Sequence, residues 1–382
     1  MSELTIQAAV LHGVRDLRTV ERKISPPGPG EVQVSVRSTG ICGSDQHYYH
    51  HFRNGDILVR EPLALGHESS GIVEVVGSDV TGFQPGDRVA LEVGLPCDKC
   101  KLCLDGRYNL CPEMKFRSSG KAFPHYQGTL QGRINHTAKW CYKLPDNVSL
   151  DEGALLEPLS VAIHAVRRAR FQPGSKALVL GAGAVGMLTA AVLRAEQAGS
   201  ITIADIEGRR VEFAKTNGFA DAGVEVPRTR PKSDALEDKL ALAQQTSQLL
   251  VQGGASPKDG AAAQYDYVFE CTGVEACVQA AIYSTRPGGA VLLVGMGTPV
   301  QTLPLSAAAL REVDLLGVFR YANTYEYGLQ LLANGRERGM PDISKLATHH
   351  FKGFDKAVQA FDMAAKPVDE KGDLVLKVII ES

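Results

Sequence analysis

The chain opens in alternation. Residues 6–13 (IQAAVLHG), 16–24 (DLRTVERKI) and 31–41 (EVQVSVRSTGI) alternate apolar and polar positions, with the cluster Pro26-Pro27-Gly28-Pro29-Gly30 as a loop between strands. GIVEVVG (71–77) continues the pattern, and VTGFQPGDRVALE (80–92) turns into a further strand. These elements predict a compact, mostly β first domain, with the segments around Cys42 and His67 at its loops. A helix is expected from Ser149, an N-cap with Glu152 three residues on. The pattern then changes. KALVLG (176–181) is a continuous apolar run of buried-strand type, MLTAAVLRAEQAG (187–199) reads as a helix, and SITIAD (200–205) as the next strand. YDYVFECTG (265–273) and GGAVLLVGMG (288–297) are further buried strands. Residues 224–264 read as a surface elaboration: a Pro/charged start, an amphipathic helix on Leu236, Leu240 and Ala243, and a Gly/Ser/Ala-rich end. A last helix-bearing stretch, the strand THHFKG, the helix FDKAVQAFDMAAK and the strand LVLKVII form a tail expected to rejoin the first domain.

Composition narrows the function. At 382 residues the chain suits two or three domains, and its 44% hydrophobic content supplies cores without staples. A net charge of -2 with no basic stripe argues against nucleic acid as a partner. The apolar segments are too short and Gly-broken to span a membrane. MSELTIQAAVLHGVRDL lacks the charged start and apolar run of a signal peptide, so a cytoplasmic location is expected. In such a chain eight cysteines argue for metal binding over disulfides.

Two stretches carry metal chemistry. Cys97, Cys100, Cys103 and Cys111 are spaced C-x2-C-x2-C-x7-C. Four thiolates this close repel unless protonated, bridged or metallated, and a tetrahedral zinc answers the problem; ferredoxin spacings differ from this one. Four protein ligands leave no open position, so this zinc is read as structural. Cys42 and the pair His67-Glu68 supply thiolate, imidazole and carboxylate, which suits a zinc with three protein ligands and one open position. Glu157, before Pro158 in an apolar run, is a carboxylate that is costly there unless paired or near a metal. Cys141, Cys271 and Cys277 are read as ordinary thiols.

A third stretch binds a nucleotide. Gly181-Ala182-Gly183-Ala184-Val185-Gly186 fits G-x-G-x-x-G at a strand-to-helix turn, and Asp205 ends the next strand about 20 residues on. Gly181, Gly183, Val185 and Gly186 let the backbone approach a pyrophosphate at a helix N-terminus. Asp205 would bind the adenosine ribose and repel a 2′-phosphate, which favours NAD over NADP; Arg210 is read as stacking on the adenine. Val294, Gly295 and Met296, at a strand's C-terminal end, are expected to line the nicotinamide, and Val318, Phe319 and Arg320 to approach the same cofactor.

The chain resembles the zinc-dependent medium-chain dehydrogenases/reductases over essentially its whole length. Gly66-His67-Glu68-x-x-Gly71-x5-Gly77 looks like that family's zinc signature, and the four-cysteine lobe and G-x-G-x-x-G follow in its order. Within the family it is most similar to the sorbitol (polyol) dehydrogenase branch, which includes xylitol and L-arabinitol dehydrogenases. Cys42-Gly43-Ser44-Asp45 with His47-Tyr48, Glu157-Pro158-Leu159-Ser160-Val161-Ala162, and Val318-Phe319-Arg320-Tyr321 carry that likeness. The resemblance implies an α/β chain with two domains. A β-rich GroES-like catalytic domain would take residues 1–157 with 320–382, including the zinc lobe 97–111, and a Rossmann NAD-binding domain 158–319. It implies one catalytic and one structural zinc, NAD, a polyol/ketose substrate bound between the domains, and a homotetramer. Cys42 and His67 would hold the catalytic zinc, with Glu68 as third ligand or close neighbour. Ser44 would pass the alcohol proton outward, and Tyr48, Glu157, Arg320 and Tyr321 would meet substrate hydroxyls. Glu157 stands where ethanol-type members place a second cysteine, which is the polyol pattern. An amino-alcohol enzyme of the L-threonine dehydrogenase type and a non-catalytic NAD-binding relative are the rival readings.

Overall fold

The computed structural model describes residues 3–254 and 264–382. The chain forms two compact units. One comprises Met1–Pro158, Ala322–Ala333 and Ile343–Ser382; the other comprises Leu159–Tyr321 and Asn334–Asp342. Among the described residues no helix is long and apolar enough to cross a membrane.

The first unit is built on the alternating strands. Leu4–Gly13 pairs antiparallel with Asp16–Ile24 and, on its other side, with Leu63–Ala64. A seven-stranded sheet runs Cys141–Lys143, Arg88–Leu91, Glu68–Val76, Glu31–Gly40, Lys377–Glu381, Ala347–Lys352, with Arg133–Thr137 also paired to Glu31–Gly40. The tail therefore adds strands to the first unit's sheet. Glu31–Gly40 is buried along nearly its whole length: Val32, Val34 and Val36 enter one of the unit's two apolar layers, while Gln33, Ser35, Ser38 and Thr39 are buried polar residues. One layer gathers Leu11, Tyr48, Leu65, Phe361 and Ile380; the other gathers Val32, Val34, Leu91, Tyr108 and Trp140. Burying such side chains stabilises by about 1.5–3 kcal/mol each.

The second unit is a six-stranded parallel sheet in the order Ala222–Glu225, Ser200–Asp205, Lys176–Leu180, Tyr265–Glu270, Thr285–Leu293, Asp314–Gly317. This is the doubly wound order, with the switch point beside the first strand, where dinucleotides bind. The helix Leu150–Arg168 begins as expected: Glu152 N–H donates to Ser149 Oγ at 3.1 Å, and Ser149 N–H donates to Glu152 Oε2 at 2.8 Å.

Several expectations need correction. The helix placed over 187–199 spans Ala184–Ala195, since it starts directly at the glycine turn with Gly183 as N-cap. The helix in 224–264 is Leu236–Gly253, and the expected apolar stripe continues as its buried face through Ala243, Ser247 and Leu250, with only its start at Leu236 exposed. It is also no surface appendage: it links the edge strand Ala222–Glu225 back to the central strand Tyr265–Glu270, and Tyr265 Oη donates to Leu250 O at 2.8 Å. The Gly/Ser/Ala-rich end expected there falls largely on residues 255–263, outside the described residues. Cys42 and His67 do lie on loop segments, 41–42 and 65–67, as expected, and what the structure adds is the elements those loops lead into. Cys42 is the N-cap of a helix, Gly43–His51, and His67 directly precedes the strand Glu68–Val76. GSDQHYYHH lacks an apolar stripe, so periodicity did not reveal that helix.

Candidate metal and nucleotide sites

The first metal group is assembled by a single carboxylate. Asp45 occupies the third position of the Gly43–His51 helix and is fully buried. Its Oδ2 accepts from the Cys42 N–H at 3.3 Å, in a reciprocal cap with a thiol in the place of the usual hydroxyl. Its Oδ1 accepts from the Gly66 N–H at 3.1 Å and from Ser118 Oγ at 3.1 Å. Cys42 and the His67 segment are thereby tied to one side chain. His67 Nδ1 lies 2.8 Å from Ser118 Oγ and 3.3 Å from Asp45 Oδ2. Nδ1 thus has the role of donor, which leaves the Nε2 lone pair for a metal. Burial raises the pKa of Asp45, but the charge and hydrogen bonds of His67 and the N–H groups of Gly66 and Cys42 overcome it and hold the pKa low. Burial likewise opposes charge on His67, yet Asp45 and Cys42 hold it well above the ordinary histidine value. That concentration of negative charge around an imidazole suits a dication.

The ligand atoms of Cys42, His67 and Glu68 all lie within 4.8 Å of one another. Glu68 is 1% exposed, and both of its oxygens accept from Lys377 Nζ, at 2.7 and 2.6 Å. Lys377 also donates to Ile41 O at 3.1 Å. Burial disfavours the ammonium, but Glu68 first and Cys42 next raise its pKa. The pair packs against Gly40, where a Cβ would displace Glu68 Oε2 from its present place. Ser44 Oγ stands 3.4 Å from His67 Nε2, on the edge of the ring left for the metal. Glu157 is 5% exposed and outside the three-ligand group; its charge reaches Lys377. Tyr48 packs in the core, and its Oη accepts from the Gly120 N–H at 3.2 Å, which leaves its own O–H to donate.

The second group is Cys97, Cys100, Cys103 and Cys111, whose sulfurs also lie within 4.8 Å of one another. Cys100 and Cys103 are 3.5 Å apart, Cys97 and Cys103 4.0 Å. A tetrahedron with zinc–sulfur arms of about 2.3 Å has edges of about 3.8 Å, so the set fits zinc. All four are free thiols. The Lys99 and Cys100 N–H groups draw Cys97 down to about 7, while burial and the neighbouring thiols push Cys103 up to about 12. The loop favours thiolate at one position and opposes it at another, a conflict that a bound dication removes. Beside this lobe Glu92 is buried, accepting from Tyr108 Oη at 2.6 Å and Tyr142 Oη at 2.9 Å. Tyr108 Oη accepts in turn from the Asn323 N–H at 2.7 Å. Of the other cysteines, Cys141 lies in the core, where burial pushes its thiol up to about 12.

In the second unit the glycine turn has the geometry of a phosphate cradle. Gly186 is required, because a Cβ there would overlap Gly181 O. Asp205 caps this turn: Oδ2 accepts from Ala182 N–H at 2.7 Å and Oδ1 from Glu207 N–H at 2.9 Å, leaving lone pairs for ribose hydroxyls. Arg210 reaches to 4.0 Å from the Cβ position of Gly183. Val185 opens the Ala184–Ala195 helix that points at the turn. The N–H groups of Val294 and Gly295 both donate to Glu270 O, at 2.9 and 2.8 Å, and Val318 N–H to Leu293 O at 3.0 Å. These residues therefore stand at the C-terminal ends of parallel strands, as do exposed Met296 and Phe319. Arg320 adopts a left-handed backbone (φ 50°) with its guanidinium 4.9 Å from the Phe319 ring centre, and Tyr321 is 3% exposed.

Three supporting residues escaped the sequence reading as functional groups: Asp45, Ser118 and Lys377. Two left a signal. Cys42-x-x-Asp45 is a capping pattern, and Lys377 is a charge in the apolar strand LVLKVII. Ser118 left none.

Comparison with known proteins follows the same division. Residues 28–146 match the alcohol dehydrogenase GroES-like domain, and residues 184–334 the zinc-binding dehydrogenase family. A sorbitol dehydrogenase from Gallus gallus is 42% identical over 355 residues, covering 93% of this chain and 92% of that one. An L-idonate 5-dehydrogenase from Vitis vinifera is 39% identical over 360 residues, covering 94% and 91%. Among solved structures, an Escherichia coli oxidoreductase/dehydrogenase of unknown specificity superimposes with a TM-score of 0.82 at 31% identity, covering 99% of both chains.

Proposed function

This chain belongs to the zinc-dependent medium-chain dehydrogenase/reductase family, in its polyol dehydrogenase branch, and from that premise we propose that it oxidises sorbitol to fructose with NAD. The observation that carries the reading is the Cys42–His67–Glu68 group, three donors of the kinds that leave a catalytic zinc one position open. When bound, zinc polarises the alcohol oxygen and NAD accepts the hydride. The chain's own residues do the rest. Asp45 and Ser118 fix the His67 ring and its tautomer, so that Nε2 is the atom that would be offered to a zinc. Ser44, beside that nitrogen, takes the alcohol proton outward. Lys377 balances the Glu68 charge, and Glu68 is either a ligand or the carboxylate next to one. Asp205 holds the adenosine ribose and Gly181, Gly183 and Gly186 admit the pyrophosphate. Tyr48, Glu157, Arg320 and Tyr321 meet the remaining substrate hydroxyls, since each buried hydroxyl left unpaired costs about 1–3 kcal/mol. A homotetramer in the cytoplasm belongs to the same reading.

The test is turnover of the zinc-loaded enzyme with NAD+ on sorbitol, xylitol, L-arabinitol, L-idonate and L-threonine under equal conditions. Sorbitol is expected to give the highest kcat/KM. L-threonine leading, or no polyol turned over, would overturn the assignment. Arg320→Leu is expected to lower kcat/KM for polyols by about ten- to hundred-fold and to spare 2-propanol; equal losses on both would remove Arg320 from substrate recognition.

A further inference from the structure

Away from the zinc and nucleotide groups, the first unit holds a pocket of about 150 Å³ lined by Arg22, Lys23, Arg117, Arg133, Gln131 and Asn135 together with three isoleucines. By the same measure one water needs about 10–15 Å³, so a tetrahedral oxyanion has room. Four cations and, among the described residues, no carboxylate line this pocket.

Arg117 is the unusual member. It is 4% exposed, and the partners of its guanidinium are all neutral: Gln127 O at 3.0 Å, Asn135 O at 2.6 Å, His136 Nδ1 at 3.2 Å and the Tyr126 ring at 4.4 Å. His136 brings no charge, because burial and Arg117 together push it down to about 3. A buried cation without a counter-charge is costly unless an anion arrives to balance it. Arg22, half-buried, is held toward the same space by Gln127 Oε1 at 3.0 Å and Gln131 Oε1 at 3.3 Å, again neutral acceptors. The acids nearby are peripheral: Glu3 is 3.9 Å from Lys23, Glu74 is 3.5 Å from Arg133, and Glu61 acts on Arg22 only through its charge.

We propose that this pocket binds a phosphoryl group. Guanidinium forks held in place by carbonyl and amide oxygens match phosphate oxygens, and clustered cations in a low-dielectric wall focus attraction on a polyanion. The segment that forms the wall continues into the zinc site, since Ser118, next to Arg117, is the residue bonded to His67.

The test uses the full chain, zinc-loaded and saturated with NAD+, titrated calorimetrically with inorganic phosphate against chloride at matched ionic strength. Glycerol 3-phosphate is the second probe, and the tighter of the two identifies the source as free phosphate or a phosphomonoester. Arg22→Gln is expected to weaken phosphate binding by about tenfold or more. Lys23→Gln, on an exposed strand position, is expected to weaken it several-fold with sorbitol turnover unchanged, and it decides the matter if Arg22→Gln fails to fold. No phosphate binding by the unaltered chain, or equal affinity in the unaltered chain and the variants, would overturn the proposal; the latter would place the anion elsewhere, at the zinc or the glycine turn.

Discussion

The two metal groups lie in the same unit and are built in opposite ways. The four cysteines come from one short stretch, 97–111, and their hydrogen bonds stay largely inside it: the Cys97 N–H donates to Cys111 Sγ and the Cys100 N–H to Cys97 Sγ. Cys42, His67 and Glu68 are held by groups drawn from the whole chain, with Asp45 on a helix, Ser118 on a loop and Lys377 on the last strand but a few residues from the C-terminus. A local site has little but the metal to keep its thiols together, so its metal is part of folding. A site framed by distant elements exists before the metal arrives and can give it up without collapse. The two can therefore share an element while differing in exchange.

Mild chelation is the strongest way to break this comparison. It is expected to remove about half of the zinc, abolish activity by more than about a thousandfold and leave the fold intact, as read by metal analysis, turnover and circular dichroism. Equal loss from both groups with unfolding would erase the distinction. Lys377→Met comes next. It strands a buried carboxylate, so stability to denaturant is expected to fall by about 3–5 kcal/mol in zinc-stripped protein. The loss should shrink once zinc is restored if Glu68 binds the ion; an unchanged loss would assign Glu68 a purely supporting place.

The lobe's own anchor offers a pH test. Burial pushes Glu92 up to about 7, against the hydroxyls of Tyr108 and Tyr142 and the charge of Lys139. A carboxyl with a raised folded pKa binds its proton more tightly folded than unfolded, so its contribution is fully present below about 4.5 and is lost as pH rises to about 7, a change of up to about 3 kcal/mol. Glu92→Gln is expected to flatten that part of the stability–pH curve; a slope unchanged from the parent would mean that Glu92 stays ionised throughout. The smallest effect is expected from Asp45→Asn, which keeps the size of the side chain but removes its charge. Affinity for the exchangeable zinc should fall by about 10–100-fold with the four-cysteine zinc untouched. Equal weakening of both sites would show that Asp45 acts on the fold as a whole.

The sequence by itself determined what is local. The alternating strands, the Ser149 cap, the glycine turn with Asp205 and the C-x2-C-x2-C-x7-C lobe all follow from spacing, because the groups that must meet are near neighbours in the chain. It also named Cys42, His67 and Glu68 through their chemistry. It missed what depends on company. The Gly43–His51 helix carries no apolar stripe and is held by the Asp45 cap and the core under Tyr48 and Tyr49. For the helix Leu236–Gly253 the spacing marked the correct inward face but not that its first turn, at Leu236, stays exposed. Only the tertiary structure decided that Lys377 pairs with Glu68 and that Ser118 bonds to His67. Those contacts span most of the chain, and no one-dimensional pattern encodes which distant side chain a buried charge will find.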